Sequence, residues 1–278
     1  MIVRCWGARG SIPVSGPQFE RYGGDTTCLE FRSRGGGLLV IDAGTGVRRL
    51  GNAMLLEGRR DCTLLFTHAH WDHIQGLPFF KPLYTPDLRI RLGLCPARQG
   101  DMRRILDQAL RPPLFPIPFA EAPARVEPFL WNGDVLEAEG FRITGIALSH
   151  PNGGLGYRVE EGGRSLVFLT DNELAHRHRG GAAAGDYLAF CRGADALIHD
   201  AEYTPEEYPA RQGWGHTHAL DAARLAREAG VGFFGLFHHN QEREDAAEDA
   251  LVERCRTFLS EPGDPDCAAL TQDWEMTL

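Results

Sequence analysis

The sequence predicts an α/β fold built as one domain over residues 1–278, and three observations carry that reading. Short apolar runs with β character alternate with amphipathic helical stretches, the pattern of strands covered by helices. Several of those runs end directly in His or Asp, so one edge of the sheet structure is polar. At 278 residues, with 43% hydrophobic and 24% charged residues, the chain has the ordinary composition of a globular protein and can bury a large core.

Taken in order, residues 1–6 read as a first strand, followed by a Gly- and Pro-containing loop over 7–13 that lets the backbone turn sharply. A second loop over 21–28 enters a strand at 29–31, and residues 37–44 form a buried strand that ends in Asp42 and a glycine turn. Val47–Leu56 is an amphipathic helix, and residues 62–66 are a short apolar strand. Beyond it, 88–94 reads as a strand and 100–110 as a helix. Four prolines within 111–119 forbid regular helix or central strand, so this stretch is expected to be a stiff, partly exposed loop near the site, its apolar side chains covering the sheet edge or, as the alternative, walling a substrate pocket. Strands resume at 125–130, 141–148, 156–160 and 165–169, another ends at His199 and Asp200, and 232–237 is a further one. Helices are expected over Ala219–Ala229 and 242–259, and the remaining tail carries no signal.

Chemistry concentrates after the 62–66 strand, where His68, His70, Asp72 and His73 fall within six positions on a strand-to-helix loop. Imidazole suits zinc, iron, manganese and nickel, and a carboxylate widens the choice toward harder ions. His68 and His70, two apart, can reach one ion from the same side, while Asp72 and His73 turn toward a second. The same sequence device recurs: Ser149 and His150 follow the 141–148 run, Asp171 follows 165–170, and His238 and His239 follow 232–237. Strand ends in a layered sheet point to one rim, so His150, Asp171 and His238 can converge on the first cluster.

The His-x-His-x-Asp-His stretch, followed in order by a His, an Asp and a His, resembles the metallo-β-lactamase superfamily over residues 68–238. That resemblance implies a four-layer αββα sandwich with a metal site on one edge. It implies that His68, His70 and His150 hold one ion, Asp72, His73 and His238 a second, and that Asp171 bridges them; His238 is chosen over His239 because it leaves the strand directly. The Gly215-His216-Thr217 element, with Asp200-Ala-Glu-Tyr203 upstream and the two N-terminal loops, looks like the phosphodiesterase branch that includes ribonuclease Z and the phosphoribosyl cyclic phosphodiesterases. Asp25 departs from that branch, where Asn is more usual, and no long inserted arm for tRNA is present, which turns the expectation away from tRNA maturation.

The expected reaction is hydrolysis of a small phosphodiester, cyclic ones included, with two divalent ions, Zn or Mn, as cofactors. The ions lower the pKa of bridging water from 15.7 to about 7 and make it a hydroxide nucleophile. His216 is the expected general acid for the leaving alkoxide, and Asp72 is counted with it among the catalytic groups. Asp42 is suited to orient a metal-bound imidazole. A thioesterase or lactonase using the same metals is the alternative, and a metal-bound sensor without turnover is another. Arg9 and Arg21 are candidate phosphate contacts left outside the site, His176 and His178 are expected to face solvent, and His199 and His218 receive no role.

The net charge of −9 disfavours extended nucleic acid, which selects a basic face. Only Lys81 among the 29 basic residues is a lysine, a bias attributed to nucleotide composition. Seven scattered cysteines, an odd number with no Cys-x-x-Cys pair, argue against a disulfide framework and read as small buried hydrophobes. No apolar run approaches the ~18 residues of a membrane span and no signal peptide is evident, so no membrane partner and a cytoplasmic location are expected. A homodimer is compatible with the sequence.

Overall fold

The computed structural model describes residues 1–94, 102–131 and 133–278. In chain order the elements are β1 (Ile2–Gly7), β2 (Cys28–Arg32), β3 (Leu38–Ile41), α1 (Val47–Leu56), β4 (Asp61–Leu65), the short α2 (Trp71–Ile74), β5 (Arg89–Leu94), α3 (Met102–Ala109) and β6 (Arg125–Leu130). Then follow β7 (Leu136–Ala138), β8 (Phe141–Ala147), β9 (Leu155–Glu161), β10 (Arg164–Leu169), α4 (Ala184–Cys191), β11 (Ala196–Asp200), α5 (Ala219–Ala229), β12 (Phe233–Phe237), α6 (Asp245–Phe258), β13 (Asp266–Ala269) and β14 (Glu275–Thr277). Two seven-stranded sheets result, ordered β14-β1-β2-β3-β4-β5-β6 and β13-β12-β11-β10-β9-β8-β7.

Alternation along the strands explains the layering. In β3, Leu39 and Ile41 face a core shared with Phe141, Val159, Phe168 and Ile198 of the other sheet, while Leu38 and Val40 face Val47, Leu50 and Met54 of α1. In β10, Leu166 and Phe168 face the shared core, and Val167 and Leu169 face α4, α5 and α6. A strand buried on both faces must be apolar at every position, which is why these runs read as continuous rather than alternating. Each such side chain contributes roughly 1.5–3 kcal/mol on burial against a β-propensity range of about 1 kcal/mol, so burial, not intrinsic preference, fixes the strands. The outcome is the helix-sheet-sheet-helix sandwich.

The strands β3 to β6 pair in parallel, as do β10 to β13. Parallel neighbours need crossovers, and the helices supply them. As a consequence their carboxyl ends leave on one rim. α5 shows how locally the sequence enforces this: the His218 side chain accepts the amide of Asp221 at its start, and Gly230, at φ 66°, ends it in the left-handed region.

Two expectations, on the tail and on the C-terminal helix, need correction. The tail is not featureless, because β13 adds to the second sheet and β14 pairs with β1 in the first. The 111–119 stretch is irregular, as its prolines require, with Phe115 meeting Phe79 and Tyr84 at 6.0 and 6.4 Å and Phe119 packed in the core with Ile90 and Leu92 of β5. The C-terminal helix is shorter than 242–259. Six cysteines are free and buried; Cys95, and residues 100 and 101 of the helix expected over 100–110, lie outside the described residues. Among the described residues no helix is long and apolar enough to cross a membrane.

Candidate metal centre

At the shared rim, Asp42, Asp171 and His238 each follow a strand and adopt positive φ, at 65°, 50° and 60°. Non-glycine residues are uncommon there, and such local strain persists where the surroundings over-determine it. The left-handed step turns the side chain from the sheet plane into the rim. His68 and His70 lie in the loop after β4, and Asp72 and His73 in the first turn of α2.

Besides a group of Asp200, His216 and His238, two groups of ligand-type atoms form among the described residues, His68, His70, His150 and Asp171 in one and Asp72, His73, Asp171 and His238 in the other, each with its atoms within 4.8 Å of one another. Asp171 belongs to both. Its carboxylate lies 3.5 Å from His68 Nε2 and 3.7 Å from His150 Nε2. On the other side it lies 3.2 Å from His73 Nε2 and 3.4 Å from His238 Nε2. Asp72 Oδ2 is 3.3 Å from His73 Nε2 and 3.2 Å from His238 Nε2, and it accepts the Ser11 amide at 2.9 Å.

The outer ring nitrogens decide whether these residues fit a cation. His73 Nδ1 donates to Asp42 at 2.8 Å, His150 Nδ1 to the Gly215 carbonyl at 2.9 Å and His68 Nδ1 to Thr67 Oγ1 at 3.1 Å. His238 Nδ1 lies 3.2 Å from Glu202. With protons held on the outside, the Nε2 lone pairs aim inward. His70 is reversed: its Nε2 lies 3.3 Å from the Asn152 amide, and its Nδ1 faces His150 Nε2 at 3.0 Å. The buried His68 Nε2 and His73 Nε2 have no hydrogen-bond partner. Buried polar atoms are rarely left so, and imidazoles oriented through the opposite nitrogen are what metal coordination uses. The residues present fit divalent metal ions.

Electrostatics agree. Burial pushes His68 far down and His150 down to about 3, so both are neutral, as ligands must be. For His73 and His238 burial acts in the same sense, but Asp171 and Asp72 outweigh it and raise both well above the usual value. Burial opposes ionisation of Asp72 as well, yet His73 and His238 hold its carboxyl well below the ordinary range. The second group therefore demands positive charge, which a proton or a metal cation can supply.

His216 sits between the two groups, its ring 5.2 Å from that of His150 and 4.7 Å from that of His238. Its Nδ1 contacts Asp200 at 2.6 Å and Glu202 at 3.3 Å. Burial disfavours its charged form, but these two carboxylates prevail and raise it to about 9. Backbone closeness is bought with glycine: a Cβ on Gly215 (φ 100°) would lie 2.0 Å from His150 Nδ1, and one on Gly10 would lie 2.3 Å from His238 Nδ1. A cavity of 570 Å³ lined by His150, Pro151, Asn152, His178 and Arg179 opens beside this cluster.

All seven proposed ligands and His216 thus meet at one rim. Asp42 reaches His73 and also accepts the amide and hydroxyl of Thr67, both at 2.7 Å. His239 turns away to Glu248 and the Leu270 carbonyl. Arg9 is buried, and its guanidinium donates to the carbonyls of Gly23, Asn240 and Arg243, a strut between loops. Arg21 pairs with Asp249 on the surface. His178, expected to face solvent, instead meets Glu173 at 2.8 Å. Sequence reasoning missed Glu202, Asn152 and Glu173; the signal for Glu202 was its place two residues past a strand end.

A family model described as the beta-lactamase superfamily domain matches residues 38–239. Ribonuclease Z of Haloarcula marismortui is 25% identical over 307 residues, covering 92% of this chain and 91% of its own length. Ribonuclease BN of Escherichia coli is 24% identical over 269 residues, covering 80% of this chain and 85% of its own. Among solved structures, the metallo-beta-lactamase fold protein YhfI of Bacillus subtilis superposes with a TM-score of 0.73 at 18% identity, with 99% of each chain covered. Sandwich, rim and matched residues lead to one conclusion: the chain belongs to the beta-lactamase superfamily.

Proposed function

We propose that this chain is a metal-dependent phosphodiester hydrolase that works with two divalent cations, zinc or manganese, on a small phosphodiester, cyclic ones included. The observation that carries it is the Asp171 carboxylate lying between two groups of inward-facing imidazole nitrogens. His68, His70, His150 and Asp171 would hold one cation, and Asp72, His73, His238 and Asp171 the other. The curated relatives named ribonuclease Z and ribonuclease BN support phosphodiester bonds as the target class. When bound, such ions acidify water and neutralise phosphoryl oxygens.

The protein's own part is orientation and proton supply. His216 keeps one proton on Nδ1 against Asp200 and, when charged, offers the second from Nε2 to a leaving alkoxide. Its position between His150 and His238 puts that proton beside both groups. Asp72 is fixed by the Ser11 amide as well as by two imidazoles, so its carboxylate keeps one orientation through turnover. The cavity beside His150 has room for a small diester, whereas the net charge of −9 repels an extended polyanion.

Hydrolysis of bis-p-nitrophenyl phosphate and of 2′,3′-cyclic nucleotides by protein reconstituted with zinc or manganese tests this reading. Chelation should abolish turnover and lower Tm, since free ion at 100 times its Kd stabilises a fold by about 2.7 kcal/mol. Turnover and Tm indifferent to chelation would remove the proposal. A second expectation concerns pH. An acid works only while protonated, so activity falls as pH rises through its pKa. Asp200→Asn removes one of the two carboxylates that raise His216 to about 9, and the alkaline limb of kcat/KM should move to lower pH. An unmoved limb would separate Asp200 from the proton donor.

A further inference from the structure

Glu173, two residues past Asp171, is 1% exposed and belongs to neither metal group, yet its carboxylate is fully used. One oxygen accepts the Tyr208 hydroxyl and the Gly213 amide, both at 2.7 Å. The other accepts the Gly215 amide and His178 Nε2, both at 2.8 Å. Four donors meet the four lone-pair sites of a carboxylate, a capacity no neutral side chain has. Its own amide donates to the Ser149 carbonyl at 2.9 Å, next to His150.

The glycine amides are the informative partners. Gly213 and Gly215 have φ of 87° and 100°, so the turn between them has little intrinsic preference for its shape. Glu173 supplies that preference by drawing both amides to one point. The carbonyl of Gly215 then accepts His150 Nδ1 at 2.9 Å, and the next residue is His216. We propose that Glu173 is a positioning residue that sets the turn over residues 213–215 and, through it, both the His150 ring and the His216 proton donor. This rests on the roles given above to His150 and His216. Glutamine cannot substitute, because each carboxylate oxygen accepts one glycine amide, so either orientation of the glutamine side chain turns its NH2 group toward the N–H of Gly213 or of Gly215.

The test compares the full wild-type chain with Glu173→Gln and with Tyr208→Phe, which deletes one donor and leaves both glycine bonds. Zinc affinity is read by competition with a chromophoric chelator, without substrate. Turnover is read on bis-p-nitrophenyl phosphate, whose leaving group needs little protonation, and on a 2′,3′-cyclic nucleotide, whose alkoxide needs it. In Glu173→Gln one of two zinc affinities should fall about 10–100-fold, the range for losing a partner that orients a ligand. The ratio of cyclic-nucleotide to nitrophenyl turnover should fall about tenfold or more, within the contribution of a general acid. Tyr208→Phe should keep both within about twofold, because the Gly213 and Gly215 amide bonds that set the turn remain in place. Wild-type zinc affinities and leaving-group ratio in folded Glu173→Gln would overturn the proposal, as would an equal loss in Tyr208→Phe. If the glutamine variant does not fold, Glu173→Asp, which keeps the charge but shortens the reach, is held to the same two criteria. A wild-type protein that takes up no zinc or cleaves neither diester refutes the phosphodiesterase reading instead, before any variant is compared.

Discussion

Asp171→Asn should lose metal content and at least about 10³-fold in turnover. The side chain keeps its size, so the effect is one of charge. An attractive pair of unit charges 4 Å apart is worth about 4 kcal/mol at an effective dielectric of 20, and each 1.36 kcal/mol is a factor of ten. Asp171 lies 3.2–3.7 Å from four imidazole nitrogens drawn from both groups. Removing it withdraws negative charge from both proposed cation positions at once, which no other single substitution at the rim does. Metal content by elemental analysis and turnover on bis-p-nitrophenyl phosphate check this together. Two metals per chain with turnover near wild type would show that Asp171 does not join the two positions.

His216→Ala should leave metal content intact while turnover on an alkoxide-leaving diester falls 10²–10⁴-fold, the range of general acid catalysis. The ring's Nδ1 is committed to Asp200 at 2.6 Å, and the cation groups close without it. Truncation opens space between His150 and His238 but takes no ligand away. Elemental analysis paired with kcat separates these effects. Metal lost in proportion to activity would make His216 a ligand, and full activity would take it out of the mechanism.

The strands that carry the rim were readable because burial on both faces leaves an unbroken apolar run followed at once by the ligand-type residue, as at Phe233–Phe237 and His238. Helices α1 and α5 fall on their expected bounds because their apolar stripes are regular. What escaped detection has a different physical origin. β13 and β14 are three or four residues long and owe their form to a neighbouring strand rather than to their own pattern. Glu173 looks like any acidic loop residue until Tyr208, Gly213, Gly215 and His178 are seen to converge on it. Arg9, a basic residue in a glycine loop, gives no sign in sequence that backbone carbonyls more than 230 positions away claim its guanidinium. Local pattern reports what a segment buries; it does not report which distant backbone it must satisfy.

The contribution of both sheets to the rim has a mechanical consequence. His68, His70, Asp72 and His73 extend from β4 of one sheet, while His150, Asp171 and His238 extend from β8, β10 and β12 of the other. Each group draws ligand-type residues from both sheets, so the distance between its two halves is gauged by the thickness of the hydrocarbon layer between the sheets, where Phe31, Phe141, Phe168 and Phe237 interlock. Such interiors are as dense as organic crystals and yield little to compression. After β13 joins the second sheet, the chain crosses to lay β14 along β1 of the first, strapping the two leaves together. Breathing between the leaves would pull the centre apart, so its spacing is a stiffness of the whole domain rather than a property of any one loop.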